Sequence, residues 1–150
     1  MAIRNVVQMG DDVLRQKCFP VEAFDESLWK LLDDLKDTVK KEEGAGLAAP
    51  QVGVLRRAVV VDVEEGFFEF INPRIVSQKG EQCGWEGCLS VRGKHGVVSR
   101  PMKVKLVYQD REGKENTLVA KGFFARAICH ELDHLDGVLY IDKAQVIEKD

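Results

Sequence analysis

Two of the chain's three histidines stand four residues apart, in His130-Glu131-Leu132-Asp133-His134, and that spacing constrains the fold more than any other feature of the sequence. On a helix, residues four apart lie one turn above each other on the same face, so both imidazoles can reach one metal ion. Glu131, beside the first histidine, can then lean over a water bound to that metal and take its proton. Random placement of the chain's histidines and glutamates would produce this pattern in roughly 0.5% of such sequences.

Composition narrows the class without choosing a chemistry. At 150 residues the chain is expected to form one catalytic domain, residues 1–150, large enough to bury a core without staples. A net charge of −3 and an isoelectric point near 5.7 give no electrostatic reason to expect nucleic acid as a partner. The opening residues Met1 to Val7 lack the apolar core of a signal peptide, and no apolar run approaches membrane-spanning length. Cys18, Cys83, Cys88 and Cys129 form no CxxC pair and no dense disulfide framework. A reducing cytoplasm is therefore expected, where a thiol is free to bind metal; Cys18 and Cys83 read as inert.

Periodicity supplies the scaffold. A helix is expected from about Asp25 to Lys41, with Asp25 as N-cap, an apolar stripe of Leu28, Leu31, Leu32, Leu35 and Val39, and Lys36, Lys40 and Lys41 towards the C-terminal dipole. Gly44 and Gly46 stop it, with Gly44 as a candidate cap. Arg57–Val63 and Phe67–Asn72 read as strands joined at Glu64-Glu65-Gly66, and Val104–Tyr108 with Asn116–Ala120 as a second hairpin. A final helix, about Phe123 to Leu135, carries the histidines and ends at Asp136-Gly137. The order indicates α+β architecture: antiparallel sheets packed around a C-terminal helix, with one N-terminal amphipathic helix.

Catalytic metal sites usually keep three protein ligands and leave one position for water or substrate. Downstream of His134 only Asp136, Asp142 and Glu148 remain, and none has the spacing of a long histidine-rich motif. Upstream, Cys88 in Glu86-Gly87-Cys88-Leu89-Ser90 is the other candidate, since a thiolate binds divalent metals strongly. Gly84 and Gly87 would let backbone approach the metal. The residues alone leave Cys88 divided between ligand and buried structural thiol.

Three segments together carry a resemblance: Gly44-Ala45-Gly46-Leu47-Ala48-Ala49-Pro50-Gln51, Glu86-Gly87-Cys88-Leu89-Ser90, and His130-Glu131-Leu132-Asp133-His134-Leu135-Asp136-Gly137. In this order they resemble the signatures of the peptide deformylases, and the match spans the chain. The resemblance implies hydrolysis of the formyl group from the N-terminal formyl-methionine of nascent polypeptides, releasing formate. It implies Cys88, His130 and His134 as metal ligands and Glu131 as general base and acid in the attack of metal-bound water. The Gln51 side-chain amide and the Leu89 backbone N–H would stabilise the oxyanion. It also implies one divalent metal per chain, Fe²⁺ as the physiological ion, with Zn²⁺, Ni²⁺ or Co²⁺ as substitutes.

The substrate in this family lies as an added strand, which fits a reaction on many different chains. Gly46 is then expected to leave room for peptide, and Ala45, Glu86, Gly87, Ile128 and Cys129 are candidate pocket residues. The partners implied are N-formyl-methionyl peptides met by a monomer, with no specific nucleic acid and no membrane. Transient ribosome contact is compatible with that substrate but not legible here, the more so as the chain ends at Asp150 without the long C-terminal helix some members carry. Asp133 is expected to make a supporting hydrogen bond, Glu86 to pair with Arg100, His95 to sit in a solvated Gly93–Gly96 turn, and Trp85 and Phe124 to be core. Arg92 stands where many members have proline, so Ser90–Gly93 is expected to be looser.

Three readings of another class remain. A metallopeptidase with the same histidine motif would take a nitrogen or oxygen third ligand. A copper electron-transfer protein would have no use for Glu131. A structural metal site would need a fourth protein ligand.

Overall fold

Both helices form where the apolar periodicity places them. In the computed structural model, which describes residues 2–150, α1 spans Glu26–Lys41 and α2 spans Gly122–Leu135. The Asp25 side chain accepts from the Leu28 N–H at 3.2 Å, satisfying an otherwise unpaired donor of the first turn. Leu28, Leu31, Leu32, Leu35 and Val39 are all buried along one stripe. At the other end, the Gly44 N–H returns to the Val39 carbonyl (3.0 Å) and the Glu43 N–H to that of Lys40 (3.3 Å).

The left-handed residue of this cap is Glu43 (φ 56°), not Gly44. Gly44 therefore has a different reason to be small. A Cβ there would approach the Leu89 side chain to 3.0 Å and Val39 to 3.3 Å.

Among the described residues eight strands complete the fold: β1 (Gly46–Ala48), β2 (Ala58–Val63), β3 (Gly66–Lys79), β4 (Gln82–Cys88), β5 (Val91–Arg100), β6 (Lys103–Gln109), β7 (Glu115–Lys121) and β8 (Val146–Lys149). All pair antiparallel, in a five-stranded sheet ordered β1-β2-β3-β6-β7 and a three-stranded sheet ordered β4-β5-β8. The α+β expectation holds, with α2 central and α1 covering the outer face. No helix among the described residues is long and apolar enough to cross a membrane.

The packing explains why β2 is an unbroken apolar run although its sheet is antiparallel. Val59 and Val61 point to α2, joining Phe124, Ile128 and Leu135, while Ala58 and Val60 point to the leucine stripe of α1. A strand with a helix on each face has no polar side. A third, smaller cluster of Leu14, Val91, Val98, Leu139 and Tyr140 sits under the three-stranded sheet.

Two stretches differ from the sequence expectation. The strand read as Phe67–Asn72 runs on to Lys79 through a register shift between Ile71 and Arg74. There Asn72 (φ 49°) exchanges hydrogen bonds with Val21, accepting at 2.8 Å and donating at 2.9 Å. The Gly93–Gly96 segment is not a turn but the middle of β5, and His95 pairs with Glu148 of β8. Glycines and alternating charges hide this strand, whose buried positions mix Val91 and Val98 with Gly96 and Arg100.

Leu32 is fully buried between α1 and the five-stranded sheet. Leu32→Ala should cost about 2–5 kcal/mol in urea unfolding. A loss below about 0.5 kcal/mol would mean that α1 does not close this face.

Candidate metal centre and cleft

The end of β4 and one face of α2 converge on a single point. Cys88, His130 and His134 each present one donor atom there, all within 4.8 Å of one another. Cys88 Sγ lies 3.4 Å from His134 Nε2, and the two imidazoles stand edge to face with centroids 5.1 Å apart. His130 Nδ1 meets Glu86 Oε1 at 2.9 Å, which fixes the ring and leaves its Nε2 for a cation.

Glu86 is the hub behind the centre. Arg100 grips it bidentately, both contacts at 2.9 Å, and Arg126 Nη1 donates to its other side at 2.7 Å. Arg100 continues to Asp133 Oδ2 at 2.7 Å, and Arg126 also donates to the Val98 carbonyl at 3.0 Å. Glu86, Arg100 and Arg126 are all buried, so each charge depends on the others. Burial alone would raise the Glu86 carboxyl; the hydrogen bonds from Arg100 and His130, with their charges, instead hold it at about 2.

The expected pair of Glu86 with Arg100 is present, and Arg126 is a third member that sequence reasoning missed. It stands four residues before His130, a spacing that already placed it on the same helix face. Gly84 serves this hub and not the metal: a Cβ there would lie 2.9 Å from Arg126 Nη2.

The histidines and Glu131 are tuned by the same burial. Burial and the charge of His130 keep His134 well below its ordinary value, hence neutral. Burial opposes charge on His130 too, but hydrogen bonds with Cys88 and Glu86 and the nearby Glu131 carboxylate raise it. The cluster therefore favours one positive charge at His130, and a bound cation would supply it in the proton's place. For Glu131, burial raises the carboxyl to about 7, with His130 pulling the other way. Its Oε1 is buried and has no hydrogen-bond partner among the described residues. A neutral His134, an anchored His130, a thiol and an orphan carboxylate oxygen together fit a divalent ion.

Gln51 is held in the short 3-10 turn Ala49–Val52. Its side-chain oxygen accepts from the Ala48 N–H at 2.9 Å, and its Nε2 donates to Ser90 Oγ at 3.0 Å and faces Cys88 Sγ at 3.6 Å. Leu89 occupies the turn between β4 and β5. Ser90, whose N–H lies 3.4 Å from Cys88 Sγ, is a further positioning residue that the sequence did not single out. Ser90 and Val91 are buried and Val91 pairs with Cys88, whereas Arg92 and Gly93 are exposed.

A cleft of about 470 Å³ opens onto the centre. Ala45, Gly46, Glu86, Gly87, Gln51 and Leu89 line it, together with Phe123, Arg126, Ala127, His130 and Glu131 of α2. Ile128 and Cys129 do not, contrary to expectation; both are buried in the core on the α2 face away from the cleft. The helix period is the reason. Positions 123, 126, 127, 130 and 131 share a stripe, and 128 and 129 fall outside it.

Other corrections follow from contacts. Gly46 is small because a Cβ would lie 2.6 Å from Glu131 Oε2, so it makes room for the carboxylate before any peptide. Trp85 is 52% exposed at the cleft wall, not core, and packs edge-on against His95 at 4.8 Å. His95 meets Asp150, and Phe124 is core as expected.

Three protein donors with an open side, and a carboxylate able to carry a proton beside them, are the makings of a metal-dependent hydrolase. Comparison with known proteins specifies which: the sequence model of the family described as polypeptide deformylase matches residues 3–150, and this chain belongs to that family. A peptide deformylase of Thermoanaerobacter pseudethanolicus is 55% identical over 144 residues, 96% of this chain and 91% of that protein. The crystal structure of a peptide deformylase from Thermotoga maritima superposes with a TM-score of 0.95 at 37% identity, covering 97% of this chain and 100% of the other. One from Legionella pneumophila gives 0.92 at 41% identity, covering 96% and 87%.

The Glu86 hub makes a prediction about acid stability. Its folded pKa is depressed, so its stabilisation is complete above the ordinary value of 4.5 and is lost as pH falls towards about 2. Urea midpoints should therefore fall across that window in the wild type and more shallowly in Glu86→Gln. At neutral pH the variant, with two buried guanidiniums left short of a charge, should lose about 3–5 kcal/mol. Parallel pH curves for the two proteins would contradict this.

Proposed function

We propose that this chain hydrolyses the formyl amide of N-formyl-methionyl peptides, with Cys88, His130 and His134 holding one divalent cation and Glu131 moving the proton. The observation carrying this reading is the buried, unpartnered Glu131 carboxylate oxygen beside three converging donor atoms. A divalent cation bound there supplies Lewis acidity, lowering the pKa of a water to about 7 and polarising the formyl oxygen.

The chain's own residues do the rest. Glu131, with its carboxyl near neutrality, accepts the water's proton and returns it to the departing amine, which frees formate and a methionine-led peptide. One Gln51 Nε2 hydrogen is held by Ser90 and the other faces Cys88, which supports a role for Gln51, with the Leu89 N–H, in stabilising the oxyanion. Glu86 orients His130, while Ala45, Gly46 and Gly87 form the wall against which an extended peptide can lie.

Arg126 and His130 of α2 bond to Glu86 of β4 while the apolar side of α2 packs on the five-stranded sheet, which supports residues 2–150 acting as one domain. Fe²⁺ is proposed as the physiological ion, with Zn²⁺, Ni²⁺ or Co²⁺ as substitutes. A ferrous thiolate centre should lose activity in air. The substrates are nascent chains at the ribosome in a reducing cytoplasm, compatible with four free thiols, and the enzyme acts as a monomer.

Anaerobically prepared protein should release formate from formyl-Met-Ala-Ser with about one metal per chain by elemental analysis. Glu131→Ala should keep the metal and lose at least about 100-fold in rate. Gln51→Ala should lose about 100- to 1000-fold. Cys88→Ala should lose the metal. Formate release by metal-loaded Glu131→Ala at the wild-type rate would defeat this assignment.

A further inference from the structure

The cleft has a charged rim that the hydrolysis itself does not use. Arg92, near the start of β5, is 54% exposed on its side chain and lines the cleft. Its guanidinium reaches across to Glu42, the C-cap of α1, at 3.5 Å. Glu42 leads directly into the Gly44–Gly46 wall, so this ion pair joins the two banks between which a peptide would lie. Lys94, two residues further along β5, lines the same cleft. The rim's other carboxylate, Asp150, is already engaged by His95 Nδ1.

The Arg92–Glu42 contact is long and partly exposed, and a pair of that kind is displaced at little cost. A strand rises about 3.3 Å per residue, so Val91 to Lys94 spans about 10 Å beyond the turn at the metal centre. That is the distance covered by the two or three residues that follow the reacting one in an extended chain.

Resting on the deformylase reading above, we propose that Arg92, with Lys94 beside it, reads charge on the substrate. The rim favours peptides bearing an acidic side chain at the second or third position, and Glu42 is the internal carboxylate that such a side chain displaces. The effect is one of binding, expressed in KM and weakened by salt.

The experiment uses metal-loaded enzyme at low ionic strength with formyl-Met-Ala-Glu, formyl-Met-Ala-Gln and formyl-Met-Ala-Lys, and the same substitutions at position two. Wild type should turn over the best-placed acidic peptide about 2- to 5-fold more efficiently than its glutamine counterpart, and the basic peptide less efficiently, with the difference in KM. The acidic-to-basic ratio should fall from wild type to Arg92→Gln and further in Arg92→Glu, rise in Glu42→Gln, and collapse towards one at 0.5 M salt, where the Debye length is only about 4 Å. Equal efficiencies for all three charges in wild type, or a ratio that Arg92→Glu leaves in place, would overturn the proposal while the deformylase reading stands. No turnover of the neutral peptide would overturn both.

Discussion

One buried carboxylate ties the molecule together. Glu86 leaves β4, takes Arg100 from β5 and Arg126 from α2, and spends its remaining contact on His130. Each of these charges would be costly to bury alone. Gathered on one carboxylate, they fix the distance between the three-stranded sheet and the helix that crosses it. The donor triad is a consequence, because Cys88 follows Glu86 on β4 by two residues and His130 and His134 are the next turns of α2 after Arg126. The metal centre is thus positioned by an ion cluster on one side and by the apolar contact of α2 with the five-stranded sheet on the other.

Burial has opposite consequences a few ångströms apart. At Glu86, the Arg100 guanidinium and the His130 imidazole outweigh desolvation and keep the carboxylate charged. At Glu131, desolvation wins and the carboxyl sits near neutrality with one oxygen unpartnered. The first is a fixed charge that holds other groups, and the second is a group free to take and return a proton. The same logic separates the two glycines beside them. Gly84 clears space for Arg126 and Gly46 for Glu131, so both exist to admit a charged side chain.

What the sequence made legible was whatever depends on local spacing. The α1 cap and stripe, the hairpin β6–β7 and the α2 histidines follow from periods of 3.6 and 2, and each is found close to the expected bounds. The β4–β5 hairpin escaped because two of its inward residues, Glu86 and Arg100, read as surface when their partners are unknown. Trp85 read as core for the converse reason: a large apolar residue gives no sign that it borders a cleft. The error at Ile128 and Cys129 was avoidable, since stepping back by four from Glu131 leads to Ala127 and Phe123, and by four from His130 to Arg126. Glu43 in the left-handed conformation was not predictable, with a glycine standing next to it.

The central claim is that the Glu86 cluster sets the geometry of the metal ligands before a cation arrives. The most direct test is Co²⁺ affinity of the metal-free protein, compared between wild type and Glu86→Gln under conditions where circular dichroism shows both folded. Loss of a carboxylate behind a ligating histidine typically costs about 10- to 100-fold in metal affinity, and a weakening of that size is the result expected here. Equal affinity in the two folded proteins would contradict it, and would mean that Cys88, His130 and His134 find their places without the ion cluster behind them.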